Sequence, residues 1–157
     1  MVVAVEPVTI ASVVEGHGEV RALPVLIDAD DDCPAQLGPA LLARATRARS
    51  DRAIAVVVAK SEFEAWFLAS APSLAGSRRL PSDLAAPDDP EGIRGAKEWL
   101  TEQMTSAHPY KETVDQAALT SQLDLDMVRR KSHSFDKLWR DVESLLAADR
   151  EQDHHEH

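Results

Sequence analysis

The sequence is short of cysteine, of positive charge and of long apolar runs, and each shortage excludes a class of protein. Cys33 is the only cysteine, so no intrachain disulfide can form and a reducing, cytoplasmic setting is expected. Lysine and arginine number 17 against 27 aspartates and glutamates, a net charge of −10. That balance works against broad attraction to nucleic acid or to an anionic membrane. It leaves room for a nuclease, because bound cations neutralise clustered carboxylates. No apolar stretch approaches a membrane span, and Met1–Pro7 lacks the basic start and apolar core of a secretory signal. Two familiar motifs are missing as well. There is no G-x-S-x-G, and Gly16-His17-Gly18 runs into Glu19-Val20-Arg21 without completing G-x-G-x-x-G. Cys33 has no evident activating partner for a thiol hydrolase.

What remains is ordinary for a folded α/β protein. The 157 residues are 44% hydrophobic and 28% charged, enough for one domain with a modest core. Val8–Val14 is β-branched and short and stops at Glu15-Gly16, so it reads as a buried strand. Val25-Leu26-Ile27 leads into Asp28 as a second strand end. Pro34 suits the first turn of a helix that Leu37, Leu41, Leu42 and Ala45 carry to about Ser50. Ala53–Ala59 is the clearest strand and ends at Lys60. Phe63, Trp66 and Phe67 then fall at helical spacing, reading as core rather than as a base-stacking platform.

Residues 72–92 read as loop. A helix is expected from Asp89-Pro90, facing Ile93, Ala96, Trp99, Leu100 and Met104 inward. Further helices are expected over Val114–Gln122, from Asp124, and after a Ser134 cap with Asp136 in the first turn. Phe135, Leu138, Trp139, Val142, Leu145 and Leu146 give the last one its core stripe. The expected organisation is a single domain over residues 1–150, sheet-bearing over about 8–70 and helical over about 89–148. A disordered tail over 151–157 follows, its histidines read as a polar end.

Strands that feed through Gly/Asp turns into helices predict a mainly parallel sheet. Ligand chemistry in such sheets gathers beyond the carboxyl ends of the strands. Three charged clusters fall there: Glu15 with Glu19, Asp28 to Asp32, and Lys60 with Glu62 and Glu64. Asp28 and Asp30 suit a hard divalent cation, and equally suit caps for the helix near Pro34. An EF-hand is excluded, since Cys33 and Pro39 would stand where Gly and Glu are required. His17 reads as a turn histidine. Glu62 and Glu64 read as acids favoured by a helix N-terminus, and Lys60 either faces phosphoryl charge or pairs with Glu62. The run Arg129-Arg130-Lys131 is a basic patch more simply read as a solvated helix face.

Val14-Glu15-Gly16-His17-Gly18-Glu19, Ile27-Asp28-Ala29-Asp30-Asp31-Asp32 and Phe63-Glu64-Ala65-Trp66-Phe67-Leu68 together resemble a bacterial Toprim-like family, domain of unknown function 4276. Ile93–Leu100, Thr113–Gln116 and Ser134–Trp139 extend the similarity over nearly the whole chain. The resemblance implies an α/β Toprim-like core with flanking helices, akin to nucleases of the overcoming-lysogenization-defect type. It implies Glu15 as general acid/base or metal ligand and Glu19, Asp28 and Asp30 as further ligands. Asp32 and Glu62 are additional candidate ligands, and Lys60, matching a late-strand basic group, is a candidate catalytic residue that stabilises phosphoryl charge. Mg²⁺ or Mn²⁺ is the implied cofactor, nucleic acid the substrate, and an ATPase of a phage-defence system the partner.

The chain departs from the family pattern after the Glu19 turn. Arg21-Ala22-Leu23-Pro24 looks like the start of a crossover helix, yet joins the Asp28 strand directly. The same segment cannot be both. An internal deletion is the expected explanation, leaving the core incomplete. Two geometries follow: an extended return that brings Glu15 to Asp28, or a hairpin that parts them. The expected function is therefore Mg²⁺-dependent phosphodiester cleavage, the alternatives being a non-catalytic subunit of an ATPase or an inactive, internally deleted family member.

Overall fold

A computed structural model describes residues 22–60, 62–105 and 108–155, with side chains to residue 148. The Val8–Val14 strand, Glu15, His17 and Glu19 lie outside the described residues. The described chain is α/β, with two parallel strands and seven α-helices. It divides into two compact units, one comprising described residues up to Ala59 and from Lys137 onward, the other Lys60–Asp136.

The first unit is built on a β–α–β segment. Strand β1 covers Ala22–Asp28, helix α1 Pro34–Ala48 and strand β2 Ala53–Ala59. The strands pair in parallel with Val25 opposite Val56, Ile27 opposite Val58 and Asp28 opposite Ala59. Side chains alternate across a sheet, so Val25, Ile27, Val56 and Val58 share one face. Leu41 buries with them, and Leu37 packs against the group. Ala22–Pro24 therefore belongs to a strand, and the helical start read there is corrected. A seven-residue β-rich segment with a buried face outweighs the weak helical signal of three residues.

The position of Pro24 is consistent with that assignment. Ala29 donates its N–H to the Ala59 carbonyl at 2.9 Å, so odd-numbered amides of β1 point toward β2. Pro24 faces the opposite way and costs the ladder nothing. On the outer edge of β2, Lys137 Nζ donates to the Val56 carbonyl at 3.1 Å. Lys137 and Asp141 are themselves paired one helical turn apart.

The second unit begins with Lys60 and has a core of its own. Helix α2, Ala65–Ala69, is buried on every side. Phe63 precedes it, meeting Trp66 at a tilt and Phe67 edge-on, at 5.0 and 5.4 Å between ring centroids. Helix α3 spans Ala71–Leu74, overlapping the start of the segment read as loop, and a 3-10 turn covers Pro90–Gly92. Asp89 caps that turn by accepting the Gly92 amide. The helix expected from Asp89 instead starts later, as α4, Ala96–Gln103, because Gly95 takes a left-handed φ of 76° and resets the chain. A π-helical turn at Glu112–Gln116 leads into α5, Ala117–Thr120, and α6 follows at Leu125–Lys131. Asp124 caps α6 through the Met127 amide, as its position suggested. Phe67, Leu68, Leu74, Leu100 and Leu119 are fully enclosed.

Helix α7 runs from His133 to His155. Its cap is Ser132 rather than Ser134: Ser132 Oγ accepts the Phe135 amide at 3.0 Å. It also extends into the segment expected to be a disordered tail. Adding residues such as Glu and Gln to a helix nucleated upstream is inexpensive. Leu146 remains 52% exposed and takes no part in the core stripe read for it. No helix among the described residues is long and apolar enough to cross a membrane.

Candidate functional site

The β–α–β connection carries Asp28 to the carboxyl end of β1 and Lys60 to the position just after β2. Between Asp28 and α1 the chain makes a tight turn, in which the Asp32 amide reaches the Ala29 carbonyl at 2.8 Å. Asp30 holds the turn's left-handed residue, φ 49°, a conformation that Asp tolerates better than most side chains. Asp30, Asp31 and Asp32 are exposed and Asp28 is half-buried. None of these aspartates is the N-cap residue of α1. Cys33 is the N-cap residue, its side chain makes no cap bond, and the first turn of α1 holds no acid. Pro34 at its first position removes one of the amides that a helix start leaves unsatisfied.

Asp28, Asp30 and Asp32 are oxygen donors of the kind a hard cation takes. Among the described residues no three His, Cys, Asp or Glu side chains stand together as a metal-holding group. The donors that would complete such a set in the expected scheme, Glu15 and Glu19, lie outside the described residues.

Glu62, expected to join the metal ligands, has a defined occupation in the second unit. Its Oε2 accepts the amides of Ala96 at 2.9 Å and Lys97 at 3.4 Å, the unsatisfied donors at the start of α4. A carboxylate at a helix N-terminus is favoured by the helix dipole. Gly95, in a left-handed conformation, immediately precedes those amides. Glu62 thus meets a helix N-terminus, but that of α4 rather than that of the aromatic helix it was read on.

Two residues from Glu62 lies a group whose significance the local sequence does not convey. Glu64 is completely buried at the start of α2. Its Oε1 accepts the Tyr110 hydroxyl at 2.8 Å and the Gln116 side-chain amide at 3.2 Å. Its Oε2 is sealed from solvent with no hydrogen-bond partner. Lys97 Nζ stands 4.0 Å from that oxygen, at the outer limit of an ion pair, and lies closer to Glu112. Burial pushes the Glu64 carboxyl above the ordinary range, and the Tyr110 bond and the Lys97 charge offset only part of the effect. Burial and the adjoining Glu64 carboxylate push the Tyr110 hydroxyl upward too. Burial alone would lower Lys97, but Glu112, Glu64 and Glu62 hold it above its usual value.

Glu91 forms a contrasting site. It is 5% exposed, yet Oε1 accepts the Ser132 and Ser134 hydroxyls at 2.7 and 2.5 Å and the Ser134 amide at 3.1 Å. Its Oε2 accepts the His133 amide at 3.1 Å. Burial raises its pKa, but the four donors outweigh burial and leave it below the ordinary range. Ser134 is held in place by the Trp66 indole, which donates to its hydroxyl at 2.9 Å. Asp115 completes the buried acids of this unit, accepting the Lys111 amide at 3.0 Å and the Arg79 guanidinium at 3.3 Å.

The burial of Glu64, and Glu91 altogether, escape a reading of the sequence because their partners are distant in the chain. One signal was available: Glu64 opens a helix with no polar face, so its side chain had little prospect of reaching water. The basic patch has a structural use, since Arg129 pairs with Asp136 at 2.8 Å and all three basic residues close the last turn of α6.

No curated protein and no solved structure matches the chain. A family model, described as Domain of unknown function (DUF4276), matches residues 13–143, and the chain belongs to that family.

Proposed function

We propose that the chain is a divalent-cation-dependent, Toprim-like protein acting on phosphodiesters, with its reactive end beyond the carboxyl ends of the parallel strands. The observation that carries this reading is the placement of Asp28. In a parallel β–α–β unit it falls at the end of the sheet where ligands bind, with the exposed Asp30 and Asp32 in the turn that follows. Asp28 and Asp30 would hold the cation, joined by Glu15 and Glu19, with Asp32 a further donor from the same turn. A bound Mg²⁺ or Mn²⁺ would supply Lewis acidity and a nucleophile at neutral pH. The protein's own part is to fix Asp28 at the end of β1, with Asp30 and Asp32 in the turn that follows. Glu62 is left out of this set, since its carboxylate serves the α4 amides.

The test is calorimetric titration of Mg²⁺ and Mn²⁺ into the wild type, Asp28→Asn and Glu15→Gln, with cleavage of plasmid DNA and of RNA measured in parallel. Saturable binding that both substitutions weaken at least about tenfold, together with metal-dependent cleavage, supports the proposal. Binding unaffected by Asp28→Asn overturns the assigned site. Intact binding without cleavage of either nucleic acid favours the other reading, a non-catalytic subunit serving an ATPase.

A further inference from the structure

We propose that Lys97 is a two-position latch within the second unit, holding Glu112 at the surface and turning inward onto Glu64 when Glu112 is neutralised. The geometry offers the lysine two acceptors of opposite character. Glu112 is 51% exposed and is its present partner, while Glu64 is enclosed and presents an oxygen with no donor. The gap of 4.0 Å exceeds a charge-assisted N–H···O bond by only about 1 Å, within reach of a rotamer change in a flexible side chain.

Other groups around Glu64 are committed elsewhere. Tyr110 and Gln116 already donate to Oε1, Glu62 holds the amides of Ala96 and Lys97, and Asp115 holds the Lys111 amide and Arg79. Lys97 is therefore the donor placed to satisfy the open oxygen.

The latch has something to move. Glu112 and Gln116 are the two ends of the π-helical turn, one tied to Lys97 and the other to Glu64. Such turns are uncommon and are enriched where function requires a local rearrangement. A basic group arriving at Glu112 would release its end of the turn, and Lys97 would then tighten the Glu64 end.

The decisive measurement is a thermodynamic cycle on the full chain. Lys97→Met, Glu64→Gln and the double variant give the Lys97–Glu64 coupling as a factor in the unfolding equilibrium constant. The cycle is then repeated with Glu112→Gln throughout. Coupling within about twofold when Glu112 is present, rising to at least about tenfold in its absence, is expected. Equal coupling in both backgrounds overturns the latch.

Should a variant fail to fold, amide hydrogen exchange on the unaltered chain decides the matter. Salt weakens the half-exposed Lys97–Glu112 pair far more than enclosed bonds. Between low salt and about 0.5 M NaCl, the exchange of Asp115 and Gln116 should change at least about threefold relative to His133 and Ser134. An unchanged ratio overturns the proposal.

Discussion

Glu64 and Glu91 are both buried carboxylates of the second unit, yet their surroundings treat charge in opposite ways. Glu91 has donors on both oxygens, two from serine hydroxyls and two from backbone amides at the start of α7. Glu64 has donors on one oxygen alone. Burial disfavours a charge in both places, so the number and placement of donors decide the sign of the pKa shift. Residue type and depth do not distinguish the two.

The largest test of that contrast removes Glu91. Glu91→Ala strands two hydroxyls and two amides in a nearly dry site, and should lower stability by about 3 kcal/mol or more in urea unfolding. Glu64→Gln keeps an acceptor for Tyr110 and Gln116 while removing the charge, so it should shift stability by less than about 1 kcal/mol at pH 8. Comparable losses from the two substitutions would mean that the open oxygen of Glu64 is not the weak point it resembles.

The same contrast predicts opposite pH limbs. Glu91 has a folded pKa below its unfolded value of 4.5, so its stabilisation is present above 4.5 and is lost as pH falls through the folded value. Glu64 has a folded pKa above 4.5, so its contribution is complete below 4.5 and is lost as pH rises through the folded value. Glu91→Gln should flatten the acid limb of stability against pH, and Glu64→Gln the limb above 4.5. Urea midpoints between pH 3 and pH 9 would show both. A Glu64→Gln curve parallel to wild type across that range would contradict the raised value.

What could be read in advance follows the range of the interactions concerned. Strand β2 and helix α1 were legible because their signals are local: a β-branched run for one, Pro34 and apolar spacing for the other. The Asp28 turn was legible as an acidic strand end, and the structure places it there. The cap of α7 was misread by two residues because Ser132 and Ser134 both precede Phe135 with similar credentials. Only the distant Glu91 and Trp66 settle which hydroxyl is drawn away from the helix. Glu64 was legible as an acid at a helix start but not as a buried one, because Tyr110 and Gln116 come from far along the chain. The Ala22–Pro24 conflict was visible in the sequence, and its resolution required the pairing with β2.

The smallest expected effect lies in the exposed turn of the first unit, at Asp30. Asp30 is there for its backbone, for its side chain, or for both, and two substitutions separate these roles. Its left-handed φ of 49° is natural for glycine and unfavourable for alanine. Asp30→Gly should therefore leave stability within about 0.5 kcal/mol, while Asp30→Ala should lower it by about 1 kcal/mol. A purely conformational residue would let the glycine variant behave as wild type in every assay. Under the proposed function, Asp30→Gly keeps the fold and still loses affinity for Mg²⁺ or Mn²⁺ in calorimetry. Wild-type cation affinity in that variant would remove Asp30 from the ligand set and leave its carboxylate as an ordinary solvated charge.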